Sequence, residues 1–523
     1  MNENMPKKSS PMRFLTALLI ALLLPVIASA QAPSDMPPGC LVAVEIHSLP
    51  ALTRQAAEFA PGWDLQQMAA SWLGMGPLEQ AGLDPRAPIR FYLINPKANA
   101  QPWVFQVTVA DEAAFRKAVT AQRPNAARRP LRFDGRTATF GDLALAGKLL
   151  LWQTAHPGLP AFRTEGALRA KLDAQLALAA HDGELNKQFA LMKERMHEAL
   201  ARRETPDAEQ EMTTLQAQLD AAMAAVRQVQ TLEVSLTPGD ASILLSARLT
   251  PLPGSLLAKV IAAHPRSGLD LLRLCPADAT VVVAHNLALK DALRGILKNM
   301  LGLVGLRGLG SVATAEPAGT GGRALAVLLE PGATGGSAQF LYLREAGYPA
   351  LAAEWERFVK APAEAPFRLE PNPDAGIFAQ GRVVLNDAVL GADGLQLLHR
   401  MLGEQVFAAL ADQSQTGILA VGNAAPQLAA KARALAEDRS LARAGAFAES
   451  LSGLPKRPNL LAYVSADGIR RWLLLGGRDT GPLVPDEPGL AAALEFSPSG
   501  EALAGLRLPT ARLRRALAGN EGK

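Results

Sequence analysis

The chain has few aromatic residues and only two cysteines. Aromatic residues make up 5% of its 523 positions, which argues against a sugar-stacking groove or a platform for single-stranded nucleic acid, since both need exposed rings. Two cysteines are too few for the disulfide framework of a small secreted domain. Neither lies in a Cys-x-x-Cys pair, so redox catalysis of the thioredoxin kind has no support.

An excess of one charge sign is also missing. The chain has 53 Lys and Arg residues against 49 Asp and Glu residues, a formal net charge of +4. The two signs are interleaved, whereas a nucleic-acid-binding protein shows a clustered basic face. The sequence therefore predicts no nucleic-acid partner.

Residues 1–30 have the pattern of a signal peptide. Three basic residues precede position 14, an apolar run follows to Ile27, and small residues occupy 28–30, which is typical of a cleavage site. We expect cleavage between Ala30 and Gln31, a mature bacterial protein in the periplasm or outside the cell, and no membrane span after cleavage. A signal that is not cleaved would act as a single-pass anchor.

The remaining residues are too many for one ordinary core, and they indicate a degenerate duplication. The segments that begin at Pro38 and Pro276 both have an apolar strand, a polar corner and a helix. Segments 175–183 and 459–468 are interpreted as a second matching pair, each a strand that runs into a corner. Each half closes with a hairpin that has Pro-Gly or Ser-Gly at its turn.

We therefore predict an α+β fold of two tandem modules, at 31–266 and 267–523. Short connections between successive strands favour antiparallel pairing, so each module is expected to be a mostly antiparallel sheet with helices packed on one face. Periodicity predicts the following elements: strands at 89–94 and 103–109, a helix at 111–120 and strands within 131–153 in the first module, then strands at 324–330 and 338–343, a helix at 348–360 and strands within 367–390 in the second.

The clearest difference between the halves is an insertion at 184–230. Apolar residues recur at spacings of three and four in two runs, from Leu185 to Leu200 and from Met212 to Val226. Thr205-Pro206-Asp207 between the runs is typical of a helix start. We predict a helical hairpin whose apolar stripes either pack on each other or face a partner, and which is the best candidate contact arm.

Cys40 and Cys275 each precede a predicted strand. An oxidising compartment would let them form a disulfide if the fold brings them together. The alternative is two separate buried thiols.

Few residues indicate chemistry. His47 and His285 align with each other, and Glu45 shares a strand face with His47. The corners of the other matching pair carry Asp182 and Asp467, and aspartate there is a common helix cap. Because a metal needs three or four convergent ligands, we interpret the histidines as capping or solvent-facing and predict no catalytic, cofactor or metal site.

A dinucleotide fingerprint occurs at 308–313 in the wrong context, since no helix follows it. Signatures of P-loop enzymes and serine hydrolases are absent from the sequence. Dispersed acidic residues need no sequence proximity to act together, so a hydrolase stays open.

Strands that open with Pro-x-x-x-x-Val before a short helix, with Pro253-Gly-Ser-Leu-Leu-Ala-Lys259 after a hairpin, resemble large exported bacterial proteins known only as domains of unknown function. The resemblance spans most of the mature chain. It implies an envelope location and no activity.

These observations predict a non-enzymatic exported protein that acts as a protein-interaction or scaffold module, without a cofactor. One alternative is a periplasmic carrier of a lipid or another apolar ligand, which would need a concave apolar cavity. Another is an envelope hydrolase with dispersed acidic residues, which would need a cleft where two carboxylates converge.

Overall fold

The computed structural model is α+β and has two compact units. One unit contains the described residues up to Thr237 with Ala247–Ile261 and Ser499–Glu501, and the other contains Pro238–Ser246, Ala262–Pro498 and the described residues from Ala502 on. The structure describes residues 36–47, 49–59, 66–67, 70, 77–94, 102–121, 132–157, 162–201, 213, 216, 219–220, 223–239, 241–264, 269–287, 322–329, 338–372, 379–435, 439–475 and 487–510.

Besides the helical residues within 213–226, the described residues between 40 and 263 form eight strands and five helices. They are β1 Cys40–Ile46, α1 Leu49–Phe59, β2 Ile89–Ile94, β3 Trp103–Thr108, α2 Glu112–Ala121, β4 Arg132–Asp134, β5 Thr137–Gly141, α3 Leu143–Ala155, β6 Leu168–Asp173, α4 Ala174–Ala201, β7 Val229–Pro238, β8 Ser242–Pro251 and α5 Leu256–Ala263.

The sheet of the first unit has the strand order β4-β5-β3-β2-β1-β6-β7, and each of these neighbouring pairs is antiparallel. Phe115 of α2 packs with Phe105 and other apolar residues on one face. Leu149 of α3 packs with Val104 on the other face, because successive residues of a strand point to opposite sides. The prediction that helices cover only one face is therefore wrong for this unit.

The second unit contains most of the elements that follow. They are β9 Val281–His285, β10 Arg323–Leu329, β11 Ala338–Arg344, α6 Tyr348–Val359, β12 Phe367–Pro371, β13 Ala379–Leu385, α7 Asp387–Leu402, β14 Phe407–Gln413, β15 Thr416–Gly422, α8 Ala425–Arg433, α9 Gly445–Leu451, β16 Leu460–Val464, α10 Ala466–Leu475, β17 Leu490–Phe496 and β18 Ala502–Pro509, with 3-10 helices at Asp270–Leu274 and Leu441–Arg443.

The strand order of the second sheet is β12-β13-β14-β15-β11-β10-β9-β16-β17-β18, again with antiparallel neighbours. Leu351 and Trp355 of α6 pack with Phe340 on one face. Leu428 of α8 packs with Leu341 on the other. Helices thus cover both faces here too, and the one-face prediction is wrong for both units.

Several predicted elements agree with the structure to within two residues, among them β2, β3, β10, β11, α2 and α6. Three predictions are wrong. Residues 143–153 are predicted within a strand region but belong to α3, residues 175–180 are predicted as a strand but belong to α4, and the strands predicted to 390 end at Leu385, where α7 follows. The first two segments are rich in Leu and Ala, which form helices readily, and Asp142 caps α3 by accepting the Leu145 N–H over 3.0 Å.

Cys40 and Cys275 are free thiols in this structure, and both are buried. Cys40 belongs to a hydrophobic cluster with Tyr92 and Leu149, and Cys275 to one with Leu272 and other residues of the second unit. Burial raises the pKa of both, that of Cys275 to about 12, so each side chain is a neutral thiol at pH 8.

We therefore expect neither cysteine of the folded mature protein to react with iodoacetamide at pH 8 without reductant, because the nucleophile is the thiolate. After denaturation without reductant, both should be carbamidomethylated. Intact-mass spectrometry before and after denaturation measures this. A denatured protein that gains no label without reductant, and two labels with it, would show a disulfide instead.

Candidate functional site

One face of the first unit's sheet carries polar side chains across six neighbouring strands. Each lies directly opposite the next in the antiparallel register, and we call this set the polar row: Thr139, Gln106, Arg90, Glu45, Arg169 and Ser235, on β5, β3, β2, β1, β6 and β7. All except the two arginines are at most 5% exposed. Because a buried polar group is costly without a partner, the contacts of this row determine what it can do.

Glu45 lies at the centre of the row between two guanidinium groups. Arg90 Nε donates to Glu45 Oε2 over 2.7 Å, and Arg169 Nη2 donates to Oε1. Nδ1 of His47 is 3.7 Å from Oε1. Burial alone would raise the pKa of Glu45, but the hydrogen bonds from Arg169 and Arg90, with their positive charges, outweigh it and hold that pKa below its usual value. Glu45 is therefore a fixed negative charge at neutral pH.

Gln153 of α3 completes the amide end of the row. Gln106 Nε2 donates to Gln153 Oε1 over 2.9 Å and to Thr139 Oγ1 over 3.3 Å. Gln153 Nε2 donates to Gln106 Oε1 over 3.1 Å and to the Tyr92 hydroxyl over 3.3 Å. The amide groups of Gln106 and Gln153 thus form hydrogen bonds with each other, so the amides at this end of the row are already paired.

A second buried ion pair lies on the same face. Lys171 on β6 is directly opposite Glu233 on β7, and Lys171 Nζ is 3.0 Å from Glu233 Oε1, with both side chains at most 3% exposed. Glu233 Oε2 accepts the backbone N–H groups of Arg163 over 2.8 Å and Thr164 over 3.2 Å. The Glu233 carboxylate thereby holds the segment that precedes β6.

The carboxylate of Glu501 binds a third group of polar side chains in the first unit. It accepts hydrogen bonds from Arg163 Nη1 over 2.9 Å and Arg248 Nη1 over 3.0 Å. The hydroxyls of Thr250 and Ser499 donate to it over 3.3 and 3.0 Å. Arg163 is thus held at its backbone by Glu233 and at its side chain by Glu501.

Four buried polar atoms beside these pairs have no hydrogen-bond partner among the described residues. They are Arg169 Nε, Ser235 Oγ, Thr164 Oγ1 and Arg248 Nε. Ser235 is the row neighbour of Arg169, and Thr164 lies in the segment held by Glu233. Buried polar groups of this kind normally bind a water molecule or a ligand.

The second unit has apolar residues across its central strands. The strand registers align, in the order β15-β11-β10-β9-β16-β17, the residues Ile418, Leu343, Ala324, Ala284, Leu461 and Ala493. All are at most 5% exposed and belong to one hydrophobic cluster. We call this set the apolar row.

The opposite face of the second sheet has a basic row. Arg323 lies between His285 and Arg344 in the register of β9, β10 and β11. Burial, together with the positive charge of Arg323, lowers the pKa of His285 to about 4, so this imidazole is neutral at pH 7.

His47 and His285 are not equivalent in the structure, contrary to the sequence alignment. The backbone N–H of His47 donates to Ala167 O over 2.7 Å, and the matching bond beside β16 comes from Asn286, which donates to Asn459 O over 3.0 Å. The two histidines thus differ by one residue in their position relative to these bonds, and a shift of one residue along a strand moves a side chain to the opposite sheet face. Accordingly the His47 side chain is 60% exposed, whereas His285 is 7% exposed.

Asp182 is not at the end of a strand. It lies inside α4, and the residue at the junction of β6 and α4 is Asp173, whose Oδ1 accepts the N–H groups of Gln175 and Leu176, both over 3.0 Å. Asp467 lies in the first turn of α10, where it binds Arg470 and Arg471. It is not the cap predicted from the sequence, since Ser465 Oγ accepts the Gly468 N–H over 3.1 Å. The match between Asp182 and Asp467 is wrong because it aligns a helix interior with a helix start.

Sequence reasoning missed Arg90, Arg169, Lys171 and Glu233. A usable signal was present, since Arg169 and Lys171 are two residues apart in a strand and therefore share one face. Alternating charges in a strand usually indicate its solvent side, so the pattern suggests exposure. Only the register shows that these side chains face one another.

The buried glutamates of the first unit are all paired with basic side chains. Glu45, Glu233 and Glu501 are each bound by cations, and the pKa of Glu45 is lowered, whereas a general acid needs a raised one. Within the described ranges, no group of three or more His, Cys, Asp or Glu side chains could hold a metal ion.

A second feature is a pair of helical segments that pack on each other. Leu185 of α4 shares a small hydrophobic cluster with Met223. Lys193 Nζ is 2.5 Å from Asp220 Oδ1, and Arg227 Nη2 is 3.2 Å from Asp182 Oδ1. We call residues 182–201, with the described residues of 213–227, the arm.

No protein-family model, no curated protein and no solved structure matches this chain. Among the helices that the structure describes, none is both long and apolar enough to cross a membrane. The geometry of the polar row and of the arm is therefore the basis for the functional conclusions.

Replacing Glu45 with Gln removes the charge that separates two guanidinium groups. We expect the hydrogen-exchange protection of β1 and β6 at pH 7 to fall by about 2 kcal/mol, less than for a fully buried pair because both arginines are partly exposed. The pKa of Glu45 is lower in the folded protein, so its stabilisation is present above the unfolded value of about 4.3 and is lost as the pH falls through the folded value. The deficit of E45Q should therefore shrink at pH 3.

Glu112→Gln is the matched control, since its carboxylate binds the exposed Arg116 one helical turn away and such pairs contribute little. Equal protection of β1 in E45Q and the unsubstituted protein at pH 7 would contradict a central role for Glu45.

Proposed function

We propose that this chain is a non-catalytic binding protein of the bacterial cell envelope that contacts a protein partner through the arm. The observation that carries the proposal is the exposure of two neighbouring apolar side chains on α4, Leu191 at 45% and Met192 at 41%. They are neighbours in a helix that contacts the second segment of the arm through Leu185 and Lys193. Exposed apolar side chains on such an element favour a contact surface.

Support for the envelope location comes from residues 1–30, which lie outside the described residues. Their basic start, apolar run and small residues before Gln31 have the pattern of an export signal. The resemblance to exported bacterial proteins supports the same location.

We also propose that the two units are tandem copies of one module, with the boundary near residues 266 and 267. Support comes from the strand orders, since β5-β3-β2-β1-β6-β7 and β15-β11-β10-β9-β16-β17 run in the same sequence of connections. The arm is then an insertion, because Ala174–Gln228 joins β6 to β7 and the much shorter Ser465–Gly489 joins β16 to β17. The helix that carries the arm, α4, begins at Ala174, ten residues before the insertion predicted at 184–230.

The alternatives differ in their support. A hydrolase needs two carboxylates with separated pKa values, and the three buried glutamates of the first unit are instead neutralised by cations. The carrier of an apolar ligand stays a prediction.

The arm can be tested by photo-cross-linking in the native periplasm with a photoreactive amino acid at Ala190. We expect a cross-linked product that Leu191→Asp combined with Met192→Asp abolishes, because two charges prevent an apolar contact. Leu151→Asp is the matched control, since Leu151 is 73% exposed on a different helix of the same unit and should leave the product unchanged. No product, or a product that survives the double substitution, would contradict the proposal.

A further inference from the structure

We infer that Arg90, Arg169 and His47 form a binding site for the oxyanion group of a small solute, a carboxylate or a phosphate. The site lies at the polar row and does not involve the arm. It is therefore independent of the proposed protein contact, and either can fail alone.

Charge is the first argument. Arg90 and Arg169 carry two positive charges and share one counter-charge, Glu45. His47 adds a third basic side chain 3.7 Å from the same carboxylate. The cluster is therefore net positive at neutral pH even with His47 uncharged, and an anion is the group that balances it.

Unused hydrogen-bond donors are the second argument. A guanidinium has five N–H donors in a fixed fork, and Glu45 accepts one bond from each arginine, at Arg90 Nε and at Arg169 Nη2. Arg169 Nε is buried and has no acceptor among the described residues. Glu45 holds both forks in place, and the remaining N–H groups match the planar, bidentate geometry of an oxyanion.

Access is the third argument. The side chain of Glu45 is 3% exposed and forms the floor of the cluster, whereas those of Arg90, Arg169 and His47 are 46%, 21% and 60% exposed. An anion can therefore reach the exposed atoms of the two arginines and His47 from solvent without any movement of the buried carboxylate, whereas Arg169 Nε and Ser235 Oγ lie beneath that surface.

Comparison of the two sheets is the fourth argument. Replacing a buried ionic group by apolar residues is often neutral or stabilising, and the apolar row occupies the matching strands of the second sheet. The sheet can therefore form without charges at its centre. The charged side chains at the centre of the first sheet are therefore not explained by folding alone, and ligand binding would explain them.

The test is hydrogen-exchange mass spectrometry of the mature protein with inorganic phosphate and, separately, with acetate, at an ionic strength held constant with NaCl. A ligand that binds the folded unit slows exchange by a factor of 1 + [L]/Kd. We expect at least one anion to slow exchange in peptides covering β1, β2 and β6 by roughly tenfold when its concentration is ten times Kd. The tighter of the two anions identifies the oxyanion class.

Arg90→Gln should reduce that effect to nearly none, because a charge-assisted bond typically contributes tenfold or more. Arg90→Lys keeps the positive charge but loses the parallel N–H groups of the guanidinium, so it should weaken anion binding several-fold. It also serves as the test variant if R90Q does not fold. Arg116→Gln, at an exposed arginine of α2, should behave like the unsubstituted protein. Exchange that neither anion slows, or that slows equally in R90K and the unsubstituted protein, would overturn the inference and leave water as the partner of the buried groups.

Discussion

Glu45 is buried at the centre of the polar row, where an unpaired carboxylate would cost several kcal/mol. The arrangement of the first unit depends on meeting that cost. Arg90 and Arg169 stand directly opposite Glu45 on the two neighbouring strands, so register alone brings both guanidinium groups to the carboxylate. A register shift of one residue in either neighbouring strand would move its arginine to the opposite face of the sheet and remove one partner of Glu45. The ion pairs therefore specify the register as well as neutralise the charge.

The second unit meets the same packing requirement with apolar side chains. Its central strands bury Ala284, Leu343 and Leu461 with helices on both faces, and this supplies stability in a less specific way. Charged groups at this position, on the face of the apolar row, are then a property of the first unit alone. Two features of the first unit support the proposals. They are the positively charged cluster around Glu45 and the exposed apolar side chains of the arm.

Much of the fold could be predicted from the length and spacing of apolar runs. β2, β10 and β11 are short, nearly continuous apolar runs, and α6 has helical spacing with proline near its start. Leu143–Ala155 was ambiguous, because a continuous run of Leu and Ala fits either a buried strand or a buried helix. The aspartates at 142 and 173 were the signals that would have placed both helix starts.

The candidate site could not be predicted in the same way. Glu45, Arg90, Arg169 and Ser235 are far apart in sequence and meet only through three separate strand pairings. Alternation indicates which side chains of a strand share one face of the sheet. It does not show whether other parts of the chain bury that face. The same limit explains the wrong match of His47 with His285, since a shift of one residue fits the apolar pattern of two short strands almost equally well.

The most direct test of this account transfers the apolar row into the first unit, with Thr139→Ile, Gln106→Leu, Arg90→Ala, Glu45→Ala, Arg169→Leu and Ser235→Ala in one protein. If the charges serve binding, hydrogen-exchange mass spectrometry should show β1, β2 and β6 protected as well as in the unsubstituted protein or better, with no response to phosphate or acetate. Loss of protection across those strands would contradict the account and show that the polar row is required for the fold itself.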